Sequence, residues 1–169
     1  GWADKFEQVL GNTNPVAGPY FNFTVCEPIG VMGVIAGDKA PLLGLISQVI
    51  PAVTAGNAVI ALAPEKHPYP AITLGEILAV SDLPAGVINL LTGKREEILP
   101  TFATHEHIRG IDAVVESADE KRELGLGAAE SIKRLHCRED PDWTAATSES
   151  LYEIRRNLEF KTTWHPVGA

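Results

Sequence analysis

Short apolar stretches alternate with longer amphipathic stretches along the middle of the chain. The short stretches are rich in Val and Ile, which is typical of strands that are buried on both faces of a parallel sheet. They predict four strands, at residues 29–36, 58–63, 87–91 and 108–115. The amphipathic stretches predict helices at residues 41–57, 69–81, 95–105 and 118–135, the last weakened in its middle by Gly125 and Gly127. Strands that alternate with helices predict an α/β fold whose parallel sheet is covered by helices on both faces.

The two ends of the chain do not continue this alternation. Residues 19–28 and 157–166 are rich in aromatic and β-branched residues, and we predict strands outside the parallel sheet. Residues 136–150 are polar and rich in turn formers, which predicts a surface connection. The chain is thus divided into an N-terminal segment with one outer strand (1–28), a Rossmann-like domain (29–135), a surface connection (136–156) and a C-terminal outer strand (157–169).

The charge of the chain and its distribution limit which partners and which location are expected. The net charge is −8 over 169 residues, which argues against binding to a nucleic-acid backbone. Residues 40–64 contain no charged residue, and a segment of this length could cross a bilayer. However, internal Gly and Pro residues divide this segment into a helix, a turn and a strand, and no signal peptide is visible. We expect a cytoplasmic protein that contacts no membrane.

Other residues with possible chemistry have simpler structural interpretations. Cys26 and Cys137 lack metal-binding spacing, and we expect two reduced thiols without a catalytic role. His105 and His107 flank a turn without further ligands nearby, so no metal site is expected. The mixed charge runs "KREEILP" and "ADEKRE" are interpreted as solvated helix faces.

Four segments resemble the cofactor domain of the aldehyde dehydrogenase superfamily, in the order that this superfamily uses. They are "EPIGVMGVIA", "PLLGLISQVIPAVTAGNAVI", "LPAGVINLLTG" and "HEHIRGI", and the resemblance covers residues 27–134. The segments "AGPYFNFTVCEP" and "LEFKTTWHP" also resemble the oligomerisation strands of that superfamily. The resemblance implies a Rossmann-like NAD domain beside a small antiparallel oligomerisation element, with the family's catalytic domain absent between the outer strands.

The resemblance also implies where catalytic groups would lie. In the family, an Asn in the turn after the first parallel strand stabilises an oxyanion, and Lys39 occupies that position here. The family's nucleophilic Cys belongs to the catalytic domain, and its general-base Glu aligns with Arg138. We therefore expect no catalytic residue in this chain.

The positions that bind the cofactor in the family are also altered. Of the Lys and Glu that bind the adenosine ribose, Leu62 replaces the Lys and Glu65 is retained. The glycines that let the cofactor phosphates approach correspond to Val115 and Glu120. We therefore expect no cofactor, with Lys39, Glu65, Val115 and Glu120 as vestigial positions.

The function expected from the resemblance is assembly rather than catalysis. The nearest resemblance is to the C-terminal pseudo-dehydrogenase unit of the two-part family sixteen, supported by "GWADK" and "TTWHPVGA". The chain would be a pseudoenzyme that docks on a dehydrogenase-like unit, another copy or the upstream half of its own polypeptide. Two alternatives remain: an adenine-nucleotide sensor, or part of an NAD-dependent aldehyde oxidoreductase whose catalytic residues lie on another chain segment. The expected docking residues are Tyr20, Phe21, Phe23, Val25, Leu158, Phe160, Thr162 and Trp164.

Overall fold

The computed structural model describes residues 1–168 and contains two β-sheets with six α-helices. In chain order the elements are α1 (Phe6–Leu10), β1 (Asn12–Asn14), β2 (Tyr20–Pro28), β3 (Val31–Ile35), α2 (Leu43–Thr54), β4 (Ala58–Leu62), α3 (Tyr69–Ala79), β5 (Ile88–Leu91), α4 (Arg95–Thr104), β6 (Ile108–Val114), α5 (Ala118–Glu130), β7 (Arg134–Arg138), a 3-10 turn (Ala146–Glu149), α6 (Leu151–Arg155) and β8 (Leu158–Pro166).

The larger sheet is parallel, with strand order β5-β4-β3-β6-β7. Its central strands alternate between two apolar layers, because successive side chains of a strand point to opposite faces. Val34 packs with α2 residues such as Leu45 in one layer, and Ile35 packs with α4 and α5 residues such as Phe102 and Leu124 in the other. The predicted fold class, a parallel sheet with helices on both faces and a small antiparallel element beside it, is confirmed.

The parallel sheet has one strand more than the sequence predicts. Residues 134 and 135 were expected in the last helix and residues 136–138 in a connection, but they form the edge strand β7. Helix α5 ends at Glu130, and Ile132 follows with a left-handed φ of 53°, which turns the chain back toward the sheet. The sequence of β7, Arg-Leu-His-Cys-Arg, lacks the apolar run of a buried strand because its side chains are only partly covered.

The smaller sheet is antiparallel, with strand order β1-β2-β8. Strands β2 and β8 pair along their whole length, from Tyr20 opposite Pro166 to Pro28 opposite Leu158. The short polar strand β1 was not expected, since its sequence Asn-Thr-Asn carries no strand pattern. Helices α1 and α6 cover one end of this sheet through a cluster that includes Phe6, Ile154 and Leu158.

The segment between β7 and β8 is anchored to the parallel sheet more firmly than a surface connection would be. Trp143 is buried, and its ring lies 5.1 Å from the guanidinium carbon of Arg138. Arg138 in turn pairs with Asp112 on β6 and with Glu153 on α6, at 2.6 Å in both cases. The prediction of a purely surface connection is therefore wrong at these positions.

Within residues 1–168, no helix is both long enough and apolar enough to cross a membrane.

Candidate functional site

The place where an open α/β sheet binds ligands lies beyond the carboxyl ends of its strands, at the point where the strand order reverses. Here that point lies between β3 and β6, because β4 and β5 extend the sheet on one side and β7 on the other. We call it the switch-point crevice. The loop after β3 approaches the end of β6 so closely that a Cβ on Gly37 would lie 2.7 Å from Val114 Cγ1. Position 37 therefore requires glycine, because any side chain there would push the loop after β3 away from β6.

Arg95, the first residue of α4, extends its side chain into the switch-point crevice. It is 6% exposed, and its guanidinium bridges the ends of the two central strands. Nη1 donates to the carbonyl oxygen of Ala36 at 3.1 Å, and Nη2 donates to the carbonyl oxygen of Val114. Nε and Nη2 donate to the two carboxylate oxygens of Glu120, at 2.6 and 3.0 Å. The crevice thus contains a doubly hydrogen-bonded ion pair.

Glu120 connects this ion pair to the N-terminus of α5. Ser117 is the N-cap of the helix, and its hydroxyl accepts the Glu120 backbone N–H at 3.2 Å. The Glu120 carboxylate accepts the backbone N–H of Glu116 at 2.8 Å, an arrangement close to a capping box. Burial alone would raise the pKa of Glu120, but the bonds from Arg95 and the Glu116 amide outweigh it and hold the pKa below its usual range. The carboxylate is therefore ionised at neutral pH.

The other expected cofactor positions also have partners within the chain. Glu65 is exposed, and its carboxylate accepts the Arg95 backbone N–H at 2.8 Å, which caps the start of α4. Leu62 and Val115 are buried in the apolar layer beneath α4 and α5. Glu65 and Glu120, far apart in sequence, thus both contact Arg95.

Lys39 does not face a reacting group in this chain. It is exposed, and its ammonium lies 2.7 Å from a carboxylate oxygen of Asp140. The hydrogen bond from Lys39 to that carboxylate raises the pKa of the ammonium. Arg138, at the position expected for the general base, is partly buried, with a side chain that is 9% exposed. Burial alone would lower the pKa of its guanidinium, yet Asp112 and Glu153 raise that pKa and keep the side chain charged. Neither residue can serve as a base.

The thiols and imidazoles are also placed without catalytic partners. Burial raises the pKa of Cys26 on β2 and of Cys137 on β7, which disfavours the nucleophilic thiolate. The rings of His105 and His107 are 5.8 Å apart at an exposed turn. Residues 1–168 contain no group of three His, Cys, Asp or Glu side chains that could hold a metal ion.

The expected docking residues lie on both faces of the smaller sheet. Phe21 and Phe23 lie on one face, with ring centroids 5.4 Å apart. Tyr20 and Trp164 lie on the other in an edge-to-face pair, 5.8 Å apart. Val25 shares the first face, and Phe160 and Thr162 share the second. Leu158 differs from these residues: it is 1% exposed and belongs to the chain's own core.

Arg95 belongs to the run "KREEILP", whose mixed charges predict a solvated helix face. That interpretation is wrong for Arg95, whereas Glu96 and Glu97 are exposed. The Ser117-x-x-Glu120 spacing was a usable signal for the cap of α5. Asp112, the one charged residue within the apolar core of its strand, was a usable signal for the buried ion pair with Arg138.

The parallel sheet, its helices on both faces and its switch point define an open, Rossmann-like α/β domain, and comparisons identify its family. The profile of the aldehyde dehydrogenase family matches residues 2–138. Human retinal dehydrogenase 2 is 40% identical over 114 residues, which cover 68% of this chain and 21% of that protein. This chain belongs to the aldehyde dehydrogenase family.

Solved structures support the same assignment. The aldehyde dehydrogenase from Brucella melitensis biovar abortus 2308 superposes with a TM-score of 0.75 at 26% identity, covering 82% of this chain and 29% of that one. PnpE from Pseudomonas sp. WBC-3, in complex with nicotinamide adenine dinucleotide, has a TM-score of 0.73 at 26% identity, covering 80% of this chain and 27% of that one. The chain spans about a quarter of the length of the curated relatives it matches.

These relatives overturn one expectation. Sequence analysis predicted a non-enzyme, a pseudoenzyme domain, on the basis of altered site residues. That prediction is wrong: the family is one of enzymes, and its matched members are named dehydrogenases.

The dinucleotide that the family implies does not fit the switch-point crevice as this chain forms it. A pyrophosphate there would need the amide donors at the start of α5, but the Glu120 carboxylate already accepts one of them. The space between the ends of β3 and β6 holds the Arg95 guanidinium.

Proposed function

We propose that this chain is part of an NAD-dependent aldehyde oxidoreductase whose catalytic residues lie on another segment of the polypeptide, and that it docks on that segment through the smaller sheet. Family membership supports the oxidoreductase assignment. The observation that carries the docking role is the sheet β1-β2-β8, which presents exposed aromatic rings on both of its faces. Exposed apolar surface of this kind is typical of an interaction site.

The backbone of β8 favours the same interpretation. In the part of the chain that the structure describes, β8 is an edge strand that pairs with β2 alone. An edge strand can accept a further strand from a partner. Seven of the nine residues of β8, from Phe160 to Pro166, are exposed. An edge of this length with aromatic side chains suits the addition of a strand from a dehydrogenase-like unit.

We further propose that the chain corresponds to the second, dehydrogenase-like copy of the two-part family sixteen. The support is the resemblance of "GWADK" and "TTWHPVGA" to that branch. The catalytic residues would then belong to an upstream unit of the same polypeptide, and the smaller sheet would take the place of a partner subunit's sheet. The length of the natural open reading frame tests this assignment directly, since an open reading frame without an upstream dehydrogenase unit contradicts it.

Truncation is a poor test of docking, because removal of β8 would also remove Leu158 from the core. Point substitutions avoid this problem. The double variant Tyr20→Ser with Trp164→Ser removes the exposed aromatic pair, and Tyr69→Ser is a matched control, since Tyr69 is also exposed but lies on α3.

The experiment supplies the chain in trans to the rest of its natural polypeptide and measures complex mass by light scattering and aldehyde-dependent NADH formation. We expect the double variant to bind at least tenfold more weakly, a loss of about 1.4 kcal/mol or more, and the control to bind as the wild type does. Equal binding by the double variant would contradict the docking surface. Absence of aldehyde-dependent NADH formation by the complete natural polypeptide would contradict the oxidoreductase assignment.

The adenine-nucleotide sensor is not supported by a specific contact. Glu65 is the residue on which that alternative depended, and its carboxylate caps α4 through the Arg95 N–H. We therefore do not propose it.

A further inference from the structure

The cation of the switch-point crevice, the Arg95 guanidinium, is bound to other parts of this chain. The Arg95 guanidinium makes four hydrogen bonds, to Ala36, to Val114 and to both carboxylate oxygens of Glu120. Ala36 directly follows β3, and Val114 is the last residue of β6. The guanidinium therefore lies between the carboxyl ends of these two strands, at the switch point of the sheet. A phosphate could reach this position only if Arg95 moved away from the carbonyl oxygens or Glu120 moved away from Arg95.

Glu120 occupies the place of an anionic ligand. Its carboxylate accepts the Glu116 N–H at the start of α5 and is paired with a buried Arg, which are the two kinds of contact that a bound phosphate usually makes. Helix α5 is 13 residues long, so its N-terminus carries a substantial positive partial charge that this carboxylate neutralises. The crevice therefore carries its own anion.

The charges beside the crevice add to this effect. An open cleft next to the start of α5 is lined by the acidic residues Glu116, Glu139 and Asp140, with Lys121 as its single basic residue. Lys121 is already paired with Glu139 at 2.7 Å. Asp140 is likewise paired with Lys39 at 2.7 Å. A second anion would therefore find no free cation among the residues that line the cleft, and Glu116 would repel it.

We infer that the switch-point crevice is closed from within by the Arg95–Glu120 ion pair, which excludes the pyrophosphate of a dinucleotide from the place where this fold holds it. The inference goes beyond the proposed function: it concerns this crevice alone and stands whether or not the smaller sheet is a docking surface. It also implies that the NAD of the complete oxidoreductase is held by another dehydrogenase unit.

The test measures thermal melting and calorimetric binding of the whole chain with millimolar pyrophosphate and, separately, millimolar NAD. Three proteins are compared: the wild type, Glu120→Ala, and Glu123→Ala as a matched control on the exposed face of the same helix. We expect neither ligand to change the melting temperature of the wild type or the control. We expect pyrophosphate to raise that of Glu120→Ala by several degrees when saturating, because Arg95 and the start of α5 then lack their anion.

Two results would overturn the inference. Saturable binding of NAD or pyrophosphate to the wild type shows that the crevice is open. Absence of pyrophosphate binding to a folded Glu120→Ala variant shows that Glu120 is not the resident anion. If Glu120→Ala does not fold, Glu120→Gln replaces it, since the neutral amide retains the shape of the side chain; the wild-type measurement decides the question of exclusion in either case.

Discussion

At the scale of single residues, Arg95 is the position on which several contacts of the chain converge. Its backbone N–H binds Glu65, and its side chain binds Glu120 and the ends of two strands. A buried ion pair adds little to stability compared with an apolar pair of the same shape, but loss of one partner leaves the other buried and unpaired. This asymmetry makes Arg95 a sensitive position even though no chemistry has been assigned to it.

We predict that Arg95→Ala lowers the free energy of unfolding by about 3 kcal/mol at neutral pH, because the Glu120 carboxylate and two carbonyl groups lose their donor. Arg122→Ala, at an exposed arginine of α5, is the control and should change it by less than about 0.5 kcal/mol. Urea unfolding measures both. A loss for Arg95→Ala no greater than that of the control would show that the ion pair is not a structural element.

The same ion pair predicts the sign of a pH effect. The pKa of Glu120 is lower in the folded state than in the unfolded state, so the unfolded state binds more protons as the pH falls. The stabilisation is complete above the unfolded pKa of about 4.3 and is lost as the pH falls through the folded pKa. The difference in stability between the wild type and Arg95→Ala should therefore shrink in acid, and a difference that grows below pH of about 4 would contradict this explanation.

At the scale of elements, helix α5 contains two glycines, Gly125 and Gly127, which lie two residues apart but have different structural roles. A Cβ on Gly127 would lie 2.6 Å from the carbonyl oxygen of Ala103, because α4 and α5 pack closely there. A Cβ on Gly125 would meet no atom within 4 Å. Gly127 thus permits the packing of two helices, whereas Gly125 only lowers the stability of its own helix.

We predict opposite effects of alanine at these two positions. Gly125→Ala should raise the free energy of unfolding by about 0.5–1 kcal/mol, since alanine favours the helix and finds open space. Gly127→Ala should lower it by about 1–3 kcal/mol, since α4 must move away from α5. Each variant is the control of the other in urea unfolding. If the free energy of unfolding changed with the same sign in both variants, α4 and α5 would not be packed closely at Gly127.

At the scale of the whole molecule, the segment between the two sheets is held by Trp143. This residue is 7% exposed, packs against Gly44 of α2, and lies beside the Arg138 guanidinium. Arg138 then connects β7 to β6 through Asp112 and to α6 through Glu153. Trp143 and this ion network therefore connect the parallel sheet to α6, which directly precedes strand β8 of the smaller sheet.

We predict that Trp143→Ala lowers the free energy of unfolding by about 3–5 kcal/mol, as expected when a buried aromatic side chain is removed. Trp164→Ala should change it by less than about 0.5 kcal/mol in the isolated chain, because Trp164 is 60% exposed. Chemical denaturation distinguishes the two. A large loss for Trp164→Ala would show that its ring stabilises the chain itself, which would weaken its assignment to a docking surface.

The sequence determined the features that depend on local periodicity. Continuous Val- and Ile-rich runs predict buried strands, and they located β3 to β6 near their observed limits. The amphipathic stretches located the crossover helices α2 to α5. The aromatic alternation at the two ends likewise predicted β2 and β8, because a period of two along the chain is typical of a strand. The class of fold follows from the order of these elements.

Only the tertiary structure decided which charged residues are buried and what they bind. Arg95 and Glu120 are 25 residues apart and meet because β3 and β6 are neighbours in the sheet. Strand β7 lacks a strand pattern and forms because the ends of β6 and α5 place it at a free sheet edge. A charged side chain has the same appearance in the sequence whether it faces water or a carboxylate, since the partner that permits its burial is supplied by a distant part of the chain.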